Sequence, residues 1–307
     1  MDIFTLLFQS LIPLYLIIAL GWVAGRYFQI DVKTISTLAI YIFAPVSAFG
    51  FVAQIDFQPE YLTLPLFTWC IATAIAFTFL TLGKKIYGDN RANLLAIMAS
   101  MGNTGFLGLP LALALLPENV IGLYVLLDIG AGIYLATTMY YIAARGQFSI
   151  RDSITKVLKF PMLYGIIAGL IINKFQTKLP EQFNTYHDYF VGAFILTGMM
   201  ILGVSLSQIK KISISPQFIS LSFIGKFILW PAIALAIIWI DKLYLHTFNH
   251  HVHQMMLIIS IVPHGVTVAA FAAQMDLNPE KASTTILIST ILSLIYVPLM
   301  LALSGLF

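Results

Sequence analysis

The sequence predicts an all-α membrane protein of ten transmembrane helices, arranged as two inverted five-helix repeats with helices 4 and 9 broken near their centres. Three observations carry that prediction. Only 9% of the 307 residues are Asp, Glu, Lys or Arg while 60% are apolar, and mean hydropathy is +0.93, so too little polar surface exists to cover a soluble globule. The apolar residues fall into ten runs, and a polar stretch from Arg145 to Lys159 divides them five and five. The fourth run of each half carries helix breakers near its middle: Gly102-Asn103-Thr104-Gly105 with Pro110 in one, Val262-Pro263-His264-Gly265 in the other.

A helix crosses about 30 Å of hydrocarbon with roughly 20 apolar residues. The first run, 4–25, follows Met-Asp-Ile-Phe. A cleaved signal peptide has positive charge there, so this run is expected to be a retained span. A short turn with Arg26, Asp31 and Lys33 leads to the second, 34–53. The third, 61–83, stops at Lys84 and Lys85, and Arg91 precedes the fourth, 92–116. The fifth, 121–144, ends at the polar division, beyond which the sixth, 157–173, is the shortest. The seventh is 189–208, the eighth 219–240, the ninth 252–274 and the tenth 283–307. The halves are therefore 1–150 and 151–307. An odd number of spans in each forces them to insert with opposite topology. At an offset of 148, Pro13, Ile18 and Gly21 meet Pro161, Ile166 and Gly169, and Arg26 meets Lys174.

Basic residues orient the chain, because Lys and Arg accumulate in cytoplasmic loops. Loops after odd-numbered spans hold twelve, among them Lys84, Lys85, Arg145, Arg151, Lys210 and Lys211; loops after even-numbered spans hold Lys174, Lys178 and Lys242. Both termini are thus expected outside. The net charge of +3 comes from scattered residues, so no basic stripe follows a nucleic acid backbone. The single cysteine, Cys70, excludes an internal disulfide and cysteine-based metal frameworks.

Proline and glycine should unwind both breaks. Unwound backbone at membrane depth survives only inside protein or along a wet cavity. Paired discontinuous helices at mid-membrane form substrate sites in secondary transporters, where the positive ends of half-helices suit an anion. Asn103 and His264, each near the middle of its span, are then the side chains expected to face the ligand, with Thr104, Gly105, Pro110, Pro263 and Gly265 shaping the site. The alternative is a pair of proline kinks in ordinary packed helices. Gly21 and Gly25 read as close helix contacts.

Asp128 and Lys226 lie inside the fifth and eighth spans, where a charge is costly and needs a reason. They are the candidate ion-coupling residues. Their depths differ by roughly 12 Å, so an ion pair between them is an option the sequence leaves open. His246, His250, His251 and His253 resemble a metal tract, but the stretch is short and has Asp241 as its one nearby carboxylate; no metal site or cofactor is assigned.

The stretch Met101-Gly102-Asn103-Thr104-Gly105-Phe106-Leu107-Gly108-Leu109-Pro110-Leu111, with Pro263-His264-Gly265-Val266 and Asp128, resembles the auxin efflux carrier family. That family is similar in fold to bile-acid sodium symporters. The resemblance implies a scaffold of helices 1, 2, 6 and 7 that usually forms a homodimer. Helices 3–5 and 8–10 would form a transport domain, with Asn103 at the substrate carboxylate beside the crossed helices. Plant members have glutamine where this chain has His264 and an acid in the third span where this chain has none, and this chain lacks a long central loop. The resemblance therefore implies a small bacterial-type carboxylate carrier of the cell membrane, for malate, malonate or an auxin-like acid.

The expected function is a proton-coupled secondary carrier of a small organic anion working by alternating access. Sodium coupling is the nearest alternative. An intramembrane hydrolase using Ser260 and His264, or a sensor that kept the fold without transport, are the readings from other classes.

Overall fold

A computed structural model describes residues 3–28, 30–143, 158–159, 161–177, 179–208 and 212–307. Most of the expected division between the halves, with Arg145, Arg151 and Lys156, lies outside the described residues, as do Lys178, Lys210 and Lys211. The described residues are helical throughout and contain no strand beyond one isolated bridge.

Among the described residues, six helices are long and apolar enough to cross a membrane: Thr34–Ala53, Pro59–Tyr87, Glu118–Ala143, Gln182–Ser207, Pro216–Leu245 and Pro279–Leu303. The other apolar runs give different shapes. The first is the helix Ile3–Tyr27, and the sixth is the short helix Pro161–Lys174. The fourth and ninth are each two pieces. Arg91–Ser100 is followed by Thr104–Gly108 and Leu109–Leu115, and His250–Ile261 by Thr267–Gln274. The seventh helix begins at Glu181, behind Pro180, eight residues before its expected start. A start at 189 follows from hydropathy; the polar turn carrying His187 and Asp188 is nevertheless helical.

Close packing relies on missing side chains. A Cβ on Gly21 would come within 2.8 Å of the Met200 Cα, and one on Gly25 within 2.9 Å of the Val204 Cα, so the first and seventh helices touch backbone to backbone. The second and sixth helices meet in the same way, where a Cβ on Gly169 would lie 2.8 Å from the Phe49 carbonyl oxygen. The Asn173 amide then ties the sixth helix to the end of the second by donating to the Ala53 and Ile55 carbonyls at 3.1 and 2.6 Å. Helices 3, 4 and 5 form a second cluster: Gly83 faces Ala92, and Gly130 faces Pro65. Trp69 donates across it to the Thr137 hydroxyl at 3.2 Å.

Candidate functional site at the paired helix breaks

The two breaks meet each other. Met101 and Val262 leave the helical region for extended backbone, with ψ of 119° and 148°, and the strand-like residues pair antiparallel across a Gly102–His264 bridge. The Asn103 N–H donates to the Pro263 carbonyl at 2.8 Å, and the Gly265 N–H to the Met101 carbonyl at 3.1 Å. Backbone groups released by one break are thus satisfied by the other, which is what removal from water demands. Only glycines allow it. A Cβ on Gly265 would sit 2.9 Å from the Gly102 carbonyl oxygen, and one on Gly102 would sit 2.9 Å from a Val262 methyl.

The helix stubs that end at each break leave orphan carbonyls. Both are taken up by the eighth span. The Trp230 indole donates to the Ser100 carbonyl at 2.8 Å, and the Lys226 ammonium donates to the Ser260 carbonyl at 2.9 Å. Lys226 and Trp230 stand at i, i+4 on one helix face, and the ammonium also lies 5.0 Å from the indole ring centre. Lys226 is fully buried. Among the described residues no ion pair joins it to Asp128 or to any other carboxylate. Its position at the carbonyl end of His250–Ile261 also sets a positive charge against the negative end of that helix dipole.

The opposite side of the crossing is a cavity of about 280 Å³. Asn103, Thr104, Gly105, Asp128 and Thr267 form its polar wall, and Phe106, Phe194 and Phe271 its apolar wall. Among the described residues, the Asn103 side-chain nitrogen and the Thr267 hydroxyl are buried there without a hydrogen-bond partner. Asp128 is half-buried and faces Gly105, whose added Cβ would lie 3.6 Å from the carboxylate. Tyr124, under the site, donates to the Thr104 carbonyl at 2.9 Å. A second cavity of about 380 Å³ shares Ile40, Phe106 and Thr267 with the first and reaches Val32, Ser36, Gln208 and Ser283. Together they form one recess, running from the crossing toward the ends of the second, seventh and tenth spans.

The structure therefore brings Asn103, Thr104, Gly105 and Asp128 to one cavity and places the remaining predicted residues elsewhere. The His264 ring is fully buried, its centre 5.3 Å from that of Phe223 and 5.6 Å from that of Phe227. Neither ring nitrogen has a hydrogen-bond partner among the described residues. Pro110 is buried six residues into the half-helix that opens at Thr104. Pro263 and Gly265 serve the crossing through their backbones. Ser260 Oγ donates to its own helix at Leu257, 2.7 Å away, and forms no hydrogen bond with His264, so a Ser–His nucleophile is not assembled. His246, His250, His251 and His253 do not converge on one point. His253 Nε2 is 2.8 Å from the Asp241 carboxylate, His251 bonds Gln254, and His246 takes a left-handed turn conformation.

Thr267 was missed by sequence reasoning. The signal was present: Thr267 opens the half-helix after the second break as Thr104 opens the one after the first.

Comparison with known proteins agrees with this architecture. The chain matches the family described as membrane transport protein in two stretches, residues 6–151 and 148–301. It is 25% identical over 276 residues to an uncharacterized transporter of Methanocaldococcus jannaschii, covering 87% of this chain and 88% of that protein. With its apolar helices and nearly its whole length accounted for, the chain belongs to this family of membrane transport proteins, the auxin efflux carrier family that its fourth-span motif resembles.

Proposed function

We propose that the protein is a proton-coupled secondary transporter that moves a small organic anion, a carboxylate of the malate, malonate or auxin-like class, by alternating access. The observation that carries this reading is the polar wall of the central cavity. Two buried donors, the Asn103 amide and the Thr267 hydroxyl, have no partner among the described residues, beside the N-terminal end of the half-helix opening at Thr104. A buried donor left unsatisfied is costly. A carboxylate oxygen supplies the missing acceptor, and the helix dipole favours its charge.

Asp128 supplies the coupling. Its carboxylate lines the same cavity, and two like charges at such a distance repel strongly away from water. The anion enters when Asp128 carries a proton, so the two travel together. Sodium is the rival ion, favoured by the oxygens of Asp128, Thr104 and Thr267 around the cavity. Against it, two carbonyls freed by the breaks already have donors, Trp230 and Lys226. Lys226 is in this reading a resident cation at the crossing.

The ten spans act as two inverted halves, 1–150 and 151–307. The two family matches meet near this division, and the helix pairs 1 with 7 and 2 with 6 exchange under such symmetry. Spans 1, 2, 6 and 7 form the scaffold and dimer contact, and spans 3–5 and 8–10 carry the site. The recess toward Val32, Gln208 and Ser283 then opens to the cytoplasm, with both termini outside. Uptake of labelled malate and malonate into proteoliposomes under separate proton and sodium gradients tests the proposal. Accumulation driven by a proton gradient alone is expected, and uptake indifferent to both gradients refutes coupled transport.

A further inference from the structure

Far from the crossing, three side chains stand ready for a metal. A ring nitrogen of His187 and a carboxylate oxygen each from Glu118 and Asp188 lie within 4.8 Å of one another. Two ligands on opposite sides of one zinc-sized ion stand at most about 4.2 Å apart. The two carboxylates are exposed, so a swing of roughly half an ångström closes the set.

The histidine is built in, unlike the acids. His187 is 1% exposed. Its ring stacks on Phe183 with centres 5.7 Å apart and meets the edge of Phe51 at 4.8 Å. Gly50 makes room for it, since a Cβ there would collide with the ring. His187 Nε2 donates to the Ser47 carbonyl at 3.0 Å, which fixes the tautomer and leaves the lone pair on Nδ1. A backbone carbonyl holding the far nitrogen is the usual support of a metal-binding imidazole. Among the described residues nothing bonds to Nδ1, and neither Glu118 nor Asp188 joins an ion pair.

We propose that Glu118, His187 and Asp188 bind one divalent transition-metal ion, zinc or manganese in type, through two carboxylate oxygens and one imidazole nitrogen. Imidazole with carboxylate suits these ions better than calcium or magnesium, which favour all-oxygen sets. The ion neutralises two uncompensated carboxylates and leaves positions for water. It also joins two elements. Glu118 belongs to the turn Glu118–Val120 between the fourth and fifth spans, and His187 and Asp188 to the first turns of Glu181–Ser207. The recess mouth at Gln208 lies at the other end of that helix, about 30 Å away at 1.5 Å per residue. Resting on the transport reading above, the ion ties the moving spans to the scaffold on the face opposite the open recess, and holds that face shut.

The test uses the full-length protein purified in detergent, titrated with Mn²⁺ while the resonance of the free aqueous ion is followed by electron paramagnetic resonance. One Mn²⁺ per chain, displaced by Zn²⁺, is expected. Glu118→Gln and Asp188→Asn, both exposed and harmless to folding, should each weaken binding about tenfold or more. Absence of binding, or binding unchanged in both variants, overturns the site. In proteoliposomes, external Mn²⁺ should slow malate uptake by the wild type and leave Glu118→Gln unaffected. Equal slowing of both, or of neither, overturns the clamp while the binding titration judges the site. Absence of uptake without any Mn²⁺ counts against the transport reading alone.

Discussion

Gly265 and Gly105 separate the packing role of the crossing from its binding role. In Gly265→Ala the new methyl carbon meets the Gly102 carbonyl oxygen at 2.9 Å and the Gly102 carbonyl carbon at 3.3 Å. Both are backbone atoms of the partner break and cannot rotate aside. The breaks must separate, weakening the Asn103–Pro263 and Met101–Gly265 hydrogen bonds. Two such bonds contribute about 1–3 kcal/mol, and overpacking adds about 1–3 kcal/mol, so the expected loss is about 2–6 kcal/mol. Gly105→Ala is the control. Its methyl carbon lies 3.6 Å from the Asp128 carboxylate, an ordinary contact, and alanine in place of helical glycine favours folding by about 0.5–1 kcal/mol. The folded protein should keep its stability, but the methyl stands on the cavity wall and should weaken anion binding. Equilibrium unfolding in mixed micelles with increasing dodecyl sulfate measures the first quantity, and a thermal-shift series with malate and malonate the second. A Gly265→Ala protein within about 0.5 kcal/mol of wild type would refute the pairing of the two breaks as a structural necessity.

Three further outcomes follow from the same geometry. Asn103→Ala removes an amide nitrogen with no protein partner, so stability should change by less than about 1 kcal/mol while anion affinity, read by ligand-induced thermal shift, falls about tenfold. Asp128→Asn keeps the shape and removes the titrating group; counterflow exchange of labelled malate should persist, and accumulation driven by a proton gradient should vanish. Trp230→Phe preserves most of the ring but strips the donor from the Ser100 carbonyl, which should destabilise the protein by about 1–3 kcal/mol in the micelle titration, against no change if the indole N–H is dispensable.

The breaks were legible because proline and glycine act locally: Gly102, Gly105, Pro263 and Gly265 interrupt a helix whatever surrounds them. The motif residues Asn103, Thr104 and Gly105 reach the cavity with Asp128 for the same reason, since each is fixed by its own short segment. The direction of His264 was not legible. Residues before it leave the helix at Val262 with ψ of 148°, so the 100° periodicity that predicts helix faces is lost there, and the ring emerges among Phe223 and Phe227. Lys226 carried a charge too costly to ignore, but its partner is the backbone oxygen of Ser260, which no composition argument could name. His187 and Asp188 were hidden by the hydropathy criterion itself, which ends a span where polarity begins although the helix continues to Glu181.

The crossing is asymmetric in what it leaves unsatisfied, and that asymmetry bears on the ligand. Four acceptors at the breaks are occupied: the Pro263 and Met101 carbonyls by the partner break, the Ser100 carbonyl by Trp230 and the Ser260 carbonyl by Lys226. Its open groups include the Asn103 side-chain nitrogen, a pure donor, and the Thr267 hydroxyl, which can donate. A site built for a bare cation needs the reverse, with carbonyls held free to replace a hydration shell. On the cavity side, unpartnered donors at the positive end of a half-helix favour the proposed guest, one rich in lone pairs. In the proposed mechanism Asp128, in the same wall, repels an anion when ionised and admits it when neutral. On that proposal one proton sets the charge of the cavity, which is why Asp128→Asn should separate binding from coupling.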